Sequence, residues 1–490
     1  MLKIAISFPP IESDKGVPLL TQNRQFQWFN EPTYIYPMIP ASAATLLKSK
    51  GYEVIWDDGI AEELHYEKWK QRILAEKPDL IVIESKTPVI KRHWEIVNQI
   101  KVESSKIEDW DLKIALIGDH VSSFPVESFE NSQVDFVLAG GDYDFLLLNV
   151  VNFLAGKEEL KGGVYYRENN EIKNSGKYSL HENSLSDLPQ IDRELTRWEL
   201  YAYKNGNYKY LPGSYMMSGR DCWWGKCTFC SWTTLFPGKS FRTRTAEQAL
   251  DEVGSLIKLG VKEIMEDSGT LPIGSWLEKF CKGMINRGYN KKVVMSCNMR
   301  INGIRDLETW QLMKKAGFRF ILFGLESANQ ETLDKLQKNL KIEEIEPGLR
   351  LCKQAGLEPH ITTMIGYPWE TKDDAQNTIN LAKNLFRKGY VDTLQATIVI
   401  PYPGTPLYKY CSDNDLLNFT DYDRFDQREQ VMKSELTTDD VKELTKQLYK
   451  AWMTPKFVIK KILSIRKVDD LKFLARAGKK VLGHLIDFGK

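Results

Sequence analysis

The stretch RDCWWGKCTFCSW, Arg220–Trp232, holds three of the chain's seven cysteines, Cys222, Cys227 and Cys230. Only one CxxC pair is present, Cys227–Cys230, and Cys281, Cys297, Cys352 and Cys411 stand apart from it and from one another. An odd, clustered set predicts a metal centre in a reducing cytoplasm rather than a disulfide framework. A structural zinc site would need four ligands, usually from two such knuckles, and His120, His181 and His360 are not spaced to supply the remainder. Three thiolates on one short loop suit a cubane iron–sulfur cluster with one iron left open for chemistry. Gly225 lets such a loop wrap tightly. The four isolated cysteines read as small buried hydrophobes.

Working outward, the loop follows a strand near 215–220, the first of six strand–helix units. The later strands fall near 262–266, 292–297, 319–325, 359–365 and 393–400, with helices such as TAEQALDEVGSLIKLG (245–260) between them. Six units are fewer than those of a closed barrel, so residues 213–410 are expected to form a partial (β/α)6 barrel with its chemistry at the strands' carboxyl ends. Residues 1–155 show a separate alternation, with strands at 2–8, 52–57, 79–85, 113–118 and 135–140. That pattern predicts an α/β, doubly wound, Rossmann-like parallel sheet. Its carboxyl-end loops read SFPP, ESKTP, GDHVSS and AGGDYD. Residues 156–212 read as a linker with a hairpin turning at Asn169-Asn170, and 411–490 as a helical C-terminal region.

Composition excludes more than it identifies. At 490 residues the chain is too long for one core. A hydrophobic content of 42% and a charged content of 27% are ordinary for a soluble globular protein. The net charge of +1 gives no global attraction to nucleic acid, so no such partner is expected. MLKIAISFPP lacks the layout of a signal peptide, and no apolar run is long enough to span a bilayer. A cytoplasmic protein is expected.

The cysteine loop, including Phe229 before the last cysteine, resembles that of the radical S-adenosylmethionine (SAM) enzymes. It departs from their usual spacing, with four residues rather than three between the first two cysteines. The resemblance extends over about 213–410 and implies SAM chelated to a 4Fe-4S cluster and cleaved to a 5′-deoxyadenosyl radical. It implies SAM contacts from Phe229, from Glu266 and Asp267 for the methionyl amine, and from Asn298 and Arg300 as polar partners. Glu326 in FGLES would meet the ribose, and Lys338 the methionyl carboxylate. GYPWET (366–371) resembles the family's GLPGET with Trp369 for glycine, and PYPGTPLY (401–408) closes the barrel. Taken singly, a carboxylate at a strand end is more often a helix cap or a solvated charge; the ordered set carries the reading.

Residues 1–155 resemble the cobalamin-binding domain that precedes the barrel in one large subfamily. The implied corrinoid contacts are Ser85 and Thr87 in ESKTP, Gly118, His120 and Ser122 in GDHVSS, and Gly140, Gly141 and Asp142 in AGGDYD. The DxHxxG fingerprint is absent, which implies cobalamin held with no histidine on cobalt. GxGxxG is missing after the first strand, which argues against NAD.

The resemblance implies methylation of an unactivated carbon in a small-molecule or lipid-like substrate, fed by a flavodoxin- or ferredoxin-type electron donor. Alternatives are a ring-forming or oxidative reaction without methyl transfer, and a non-catalytic corrinoid or iron–sulfur sensor. The Glu326 and Lys338 pair weighs against a sensor, which has no reason to hold SAM. From Pro455 to Lys490 ten Lys or Arg stand against three Asp among recurring apolar residues. That tail reads either as packing on the barrel or as a peripheral membrane contact.

Overall fold

The structure is a computed structural model. It describes residues 2–20, 26–180, 183–236 and 240–455, and beyond them 457, 459, 463, 465, 471–476 and 478. In the N-terminal half the strands are β1 (Lys3–Phe8), a small ribbon of β2 (Val17–Pro18) and β3 (Trp28–Phe29), then β4 (Glu53–Asp58), β5 (Leu80–Glu84), β6 (Lys113–Ile117), β7 (Phe136–Leu138), β8 (Val164–Glu168) and β9 (Glu171–Asn174). The sheet order is β4-β1-β5-β6-β7-β8-β9, the first five strands parallel and the last two antiparallel. The doubly wound expectation holds, and the order in which strands join the sheet reverses between β1 and β5, where ligands settle in such sheets.

KIAISF, LIVIE and KIALI are nearly continuous apolar runs because both faces of the sheet are covered. Ile4, Ile6, Val82 and Ile117 pack toward the helices Met38–Ser49 and Tyr143–Leu154. Their neighbours Ala5, Ile81, Ile83 and Leu116 pack toward Tyr66–Glu76 and Ile90–Ser104. The hairpin expected within the linker extends this sheet instead. Its first strand pairs with β7 through Leu138–Val164, so the segment after residue 155 completes an edge before it connects anything.

The second half contains β10 (Gly213–Met216), the two-residue ribbon β11 (Gly219–Arg220) and β12 (Arg242–Thr243), then β13 (Glu263–Glu266), β14 (Val294–Met299), β15 (Phe318–Glu326), β16 (Glu358–Ile365) and β17 (Thr393–Ile398). The order β10-β13-β14-β15-β16-β17 is wholly parallel, an open six-stranded partial barrel as expected. One apolar cluster runs from the α-helical face of the first sheet through the barrel, so the two halves share a core. At the barrel's amino-terminal face a buried network joins Arg319 to Glu263 and Glu358. Phe473 lies over Arg319, and Arg476 donates to the Lys209 carbonyl at 3.1 Å. Among the described residues no helix is long and apolar enough to cross a membrane. Most of the basic tail lies outside the described residues.

Candidate active site at the carboxyl edge of the barrel

The three cysteines lie at the opposite, carboxyl face, on the loop between β11 and β12. All three are free and half-buried. The loop starts from Asp221, held in a left-handed conformation at φ +72° and anchored by the Ser240 hydroxyl at 2.7 Å. Cys222 Sγ lies 3.1 Å from Thr270 Oγ1. Thr228 N–H donates to the Leu336 carbonyl, and Leu407 N–H donates to the Thr228 carbonyl, which ties the loop to two barrel segments. The four residues between the first two cysteines include a tryptophan pair. Trp224 Nε1 donates to the Gln337 carbonyl at 2.7 Å, and Arg300 stacks over Trp223 and Trp224 at 5.5 and 4.8 Å. Arg300 also donates to the Lys338 and Asn339 carbonyls.

Burial pushes the Cys227 thiol up, against the pull of Lys338 and Arg300, and pushes Cys230 up to about 12. Thiols held protonated in this way become thiolates by exchanging protons for metal. Among the described residues no group of three or more His, Cys, Asp or Glu side chains is already set to hold a single metal ion. The donor set, three sulfurs on one loop, fits an iron–sulfur cluster.

Around this loop the structure gathers every residue expected to meet SAM. Glu266 ends β13; its Oε1 accepts from Ser218 N–H at 2.7 Å and from Ser268 Oγ at 2.5 Å, while buried Oε2 has no partner. Burial raises this carboxyl to about 7. Asn298, near the end of β14, donates to Asp267 Oδ1 and the Ser268 carbonyl, which leaves its Oδ1 buried and unpartnered. Two orphaned acceptors on adjacent strands fit an ammonium group. Glu326 and Lys338, expected to serve different parts of the ligand, bond each other at 2.7 Å, and Thr362 donates to the second Glu326 oxygen at 3.2 Å. Lys338 Nζ also sits 5.8 Å above the Phe229 ring.

The residues expected to meet a corrinoid divide into two groups. Ser85, Thr87, Gly118, His120 and Ser122 lie at the ends of β5 and β6. Gly118 has φ +126°, and a Cβ there would stand 2.0 Å from the Ser85 carbonyl oxygen. Ser85 Oγ is 2.7 Å from His93 Nδ1, and Thr87 Oγ1 is 3.2 Å from His120 Nδ1. His120 is buried among Trp94, Phe124 and Tyr422. Gly140 stays with the first group, its N–H donating to Ser122 Oγ at 3.0 Å, whereas Gly141 and Asp142 face the cysteine loop: Gly141 N–H donates to the Leu235 carbonyl, and Asp142 is gripped by Arg220 and Arg242.

The sequence reading missed Glu84 and Tyr143. Both Glu84 oxygens are buried without partners at the end of β5, the buried Tyr143 hydroxyl lies close by against Ser122 and Gly118, and burial raises Glu84 to about 7. Such orphans fit a ligand rich in amides, as a corrinoid's rim is. The acid closing the apolar run LIVIE was the available signal.

Residues 216–382 match the Radical SAM superfamily. A protein named uncharacterized methyltransferase PH0819, from Pyrococcus horikoshii, is 25% identical over 433 residues, covering 87% of this chain and 90% of that protein. The cobalamin-dependent S-adenosylmethionine radical enzyme OxsB, solved with aqua-cobalamin and S-adenosylmethionine bound, superposes with a TM-score of 0.70 at 14% identity, over 98% of this chain and 71% of that one. The radical S-adenosylmethionine methyltransferase TsrM from Kitasatospora setae, solved with cobalamin and a [4Fe-4S] cluster, gives 0.65 at 14%, over 93% and 86%. The likeness to both structures is one of fold, and it runs through both sheets.

Proposed function

We propose that this chain, whose residues 216–382 are a radical SAM domain, is a cobalamin-dependent radical SAM enzyme that methylates an unactivated carbon of a small-molecule or lipid-like substrate. The observation that carries the reading is the meeting of two ligand edges. The three-cysteine loop at the barrel's carboxyl face touches the carboxyl-edge turn of the first sheet through the Gly141–Leu235 hydrogen bond at 2.9 Å. A substrate carbon set between those edges would be within reach of both cofactors. On this reading residues 1–155 form the corrinoid domain, 156–212 connect, 213–410 form the barrel, and 411–490 form a helical region.

Cys222, Cys227 and Cys230 would hold the 4Fe-4S cluster. Glu266 Oε2 and Asn298 Oδ1 would accept hydrogen bonds from the SAM ammonium, with Asp267 beside them. Lys338 would trade part of its contact with Glu326 for the SAM carboxylate, freeing Glu326 and Thr362 for ribose hydroxyls. Phe229 walls the cluster loop, and Arg300 braces it through the two tryptophans. Ser85, Thr87, Gly118, His120 and Ser122, with Glu84 and Tyr143, would hold the corrinoid. When bound, cluster and SAM supply a hydrogen-abstracting radical and the corrinoid supplies a methyl group. The chain's own part is to orient these groups and to exclude water.

An external flavodoxin- or ferredoxin-type donor would reduce the cluster, and the reading places the enzyme in the cytoplasm. Peripheral contact with a membrane has support in Ile459, Leu463 and Leu471, apolar residues of the basic C-terminal stretch that are exposed. The test of the reaction is anaerobic turnover with methyl-deuterated SAM and candidate substrates, followed by mass spectrometry. Product carrying a labelled methyl on carbon is the expected result. A product with its carbon count unchanged would assign ring formation or oxidation on the same scaffold.

A further inference from the structure

The turn Gly140–Asp144 does more than end a strand. β11 and β12 form the neck of the cysteine loop, and their only two residue pairs are Gly219–Thr243 and Arg220–Arg242. A ribbon this short has too few bonds to close the loop between its strands. The paired arginines project together and grasp the same carboxylate. Arg220 Nη1 donates to Asp142 Oδ1 at 3.0 Å, and Arg242 donates to both Asp142 oxygens at 2.7 and 2.9 Å. Asp144 takes the rest of the Arg220 fork, and Tyr178 donates to Asp142 Oδ2 at 3.0 Å. Both aspartates are wholly buried.

The same turn holds the loop at a second place. Beyond the Gly141–Leu235 hydrogen bond, the Phe236 ring lies so close that a Cβ on Gly141 would come within 2.2 Å of it. Gly140, at φ +122°, gives the turn the bend that presents both contacts.

We infer that Gly141 and Asp142 are positioning residues for the cysteine loop: the first domain supplies the clasp that holds the cluster loop's neck and end in register with its own ligand edge. This rests on the proposed cluster-binding reading of the loop and departs from the expectation that the two residues contact the corrinoid. A clasp spanning both halves sets the separation of the two cofactor edges through a charge-balanced set of two arginines and two buried aspartates. Removing one carboxylate leaves Arg242 without its counter-charge, while Arg220 keeps Asp144.

Asp142→Asn tests it. In hydrogen–deuterium exchange of the full chain without cofactors, amides of 221–236 and 240–243 are expected to exchange roughly ten- to a hundredfold faster than in wild type, with β13–β17 unchanged. In reconstituted holoprotein the variant is expected to retain cobalamin by absorbance while the electron paramagnetic resonance signal of the reduced cluster changes on adding SAM in a way the wild type's does not. Wild-type exchange in the loop together with lost cobalamin would overturn the inference and restore the corrinoid contact. Protection lost evenly across the barrel would also overturn it, as plain destabilisation. Arg242→Lys keeps the charge but loses the fork, and should speed exchange in the same segment by a smaller factor; should D142N fail to fold, an unchanged loop in R242K sinks the idea. Absence of iron in wild type would remove the cluster reading yet leave the exchange result intact.

Discussion

Glu326 ends β15 in a left-handed conformation, φ +67°, beside a register shift between Gly324 and Glu326. That costs backbone energy for a non-glycine residue and turns its carboxylate toward Lys338. Gly324 leaves room for this pair, since a Cβ there would meet Glu326 Oε1 at 2.2 Å and Lys338 Nζ at 2.5 Å. Gly324→Ala is therefore expected to weaken SAM binding roughly tenfold, the equivalent of one charged hydrogen bond, with the fold retained; anaerobic equilibrium dialysis measures it. The twelve-residue spacing of Glu326 and Lys338 was legible in the sequence. Their mutual bond and the left-handed backbone were not, because both depend on the neighbouring strand. Glu370 is a second case. Its Oε2 accepts from Gly366 N–H at 2.7 Å, Oε1 is buried and unpartnered, and burial pushes the carboxyl up to about 8 from its ordinary 4.5. The folded chain keeps a proton there that the unfolded chain releases, so stability should fall as pH rises between those values, by about 1.4 kcal/mol per unit, and level off above. Glu370→Gln keeps an acceptor for Gly366, and its melting temperature should vary less with pH over that window.

At the scale of elements, the parallel strands were readable because burial on both faces leaves unbroken apolar runs such as LIVIE and KIALI. The hairpin's turn was readable too, from Asn169-Asn170 at positive φ. Its pairing with β7 was not, since half-exposed VYYRE carries no mark of the edge it joins. The arginine neck was hidden for a related reason: β11 and β12 are two residues each, below any periodic signal. The helix Leu307–Lys315 shows what packing fixes. Trp310 is fully buried, edge-on to Phe323 of β15 at 5.9 Å. Trp310→Ala should cost about 3–5 kcal/mol, read as a lowered denaturant midpoint.

The whole molecule is two main sheets fused through one apolar core, with the Arg319 ion-pair network at one face of the barrel and the proposed ligand groups at the other. Length and two separate strand–helix alternations indicated two halves but not their contact, which is made by residues far apart in sequence, such as Asp142 and Arg242. The described tail residues divide between both expectations. Phe457 packs on Phe386 at 5.0 Å, whereas Leu463 and Leu471 face solvent. If the tail meets an anionic surface, full-length protein should pellet with anionic vesicles more than with neutral ones, and a 1–454 chain should lose the difference. Equal pelleting of both would leave the tail as packing alone. The central claim, an iron–sulfur cluster on Cys222, Cys227 and Cys230, is tested most directly by metal and sulfide analysis of anaerobically reconstituted protein. Wild type and Cys352→Ala should each hold about four irons and four sulfides per chain, and Cys222→Ala, Cys227→Ala or Cys230→Ala close to none. One equivalent of zinc in place of iron, or iron retained after loss of any of those three cysteines, would contradict the account.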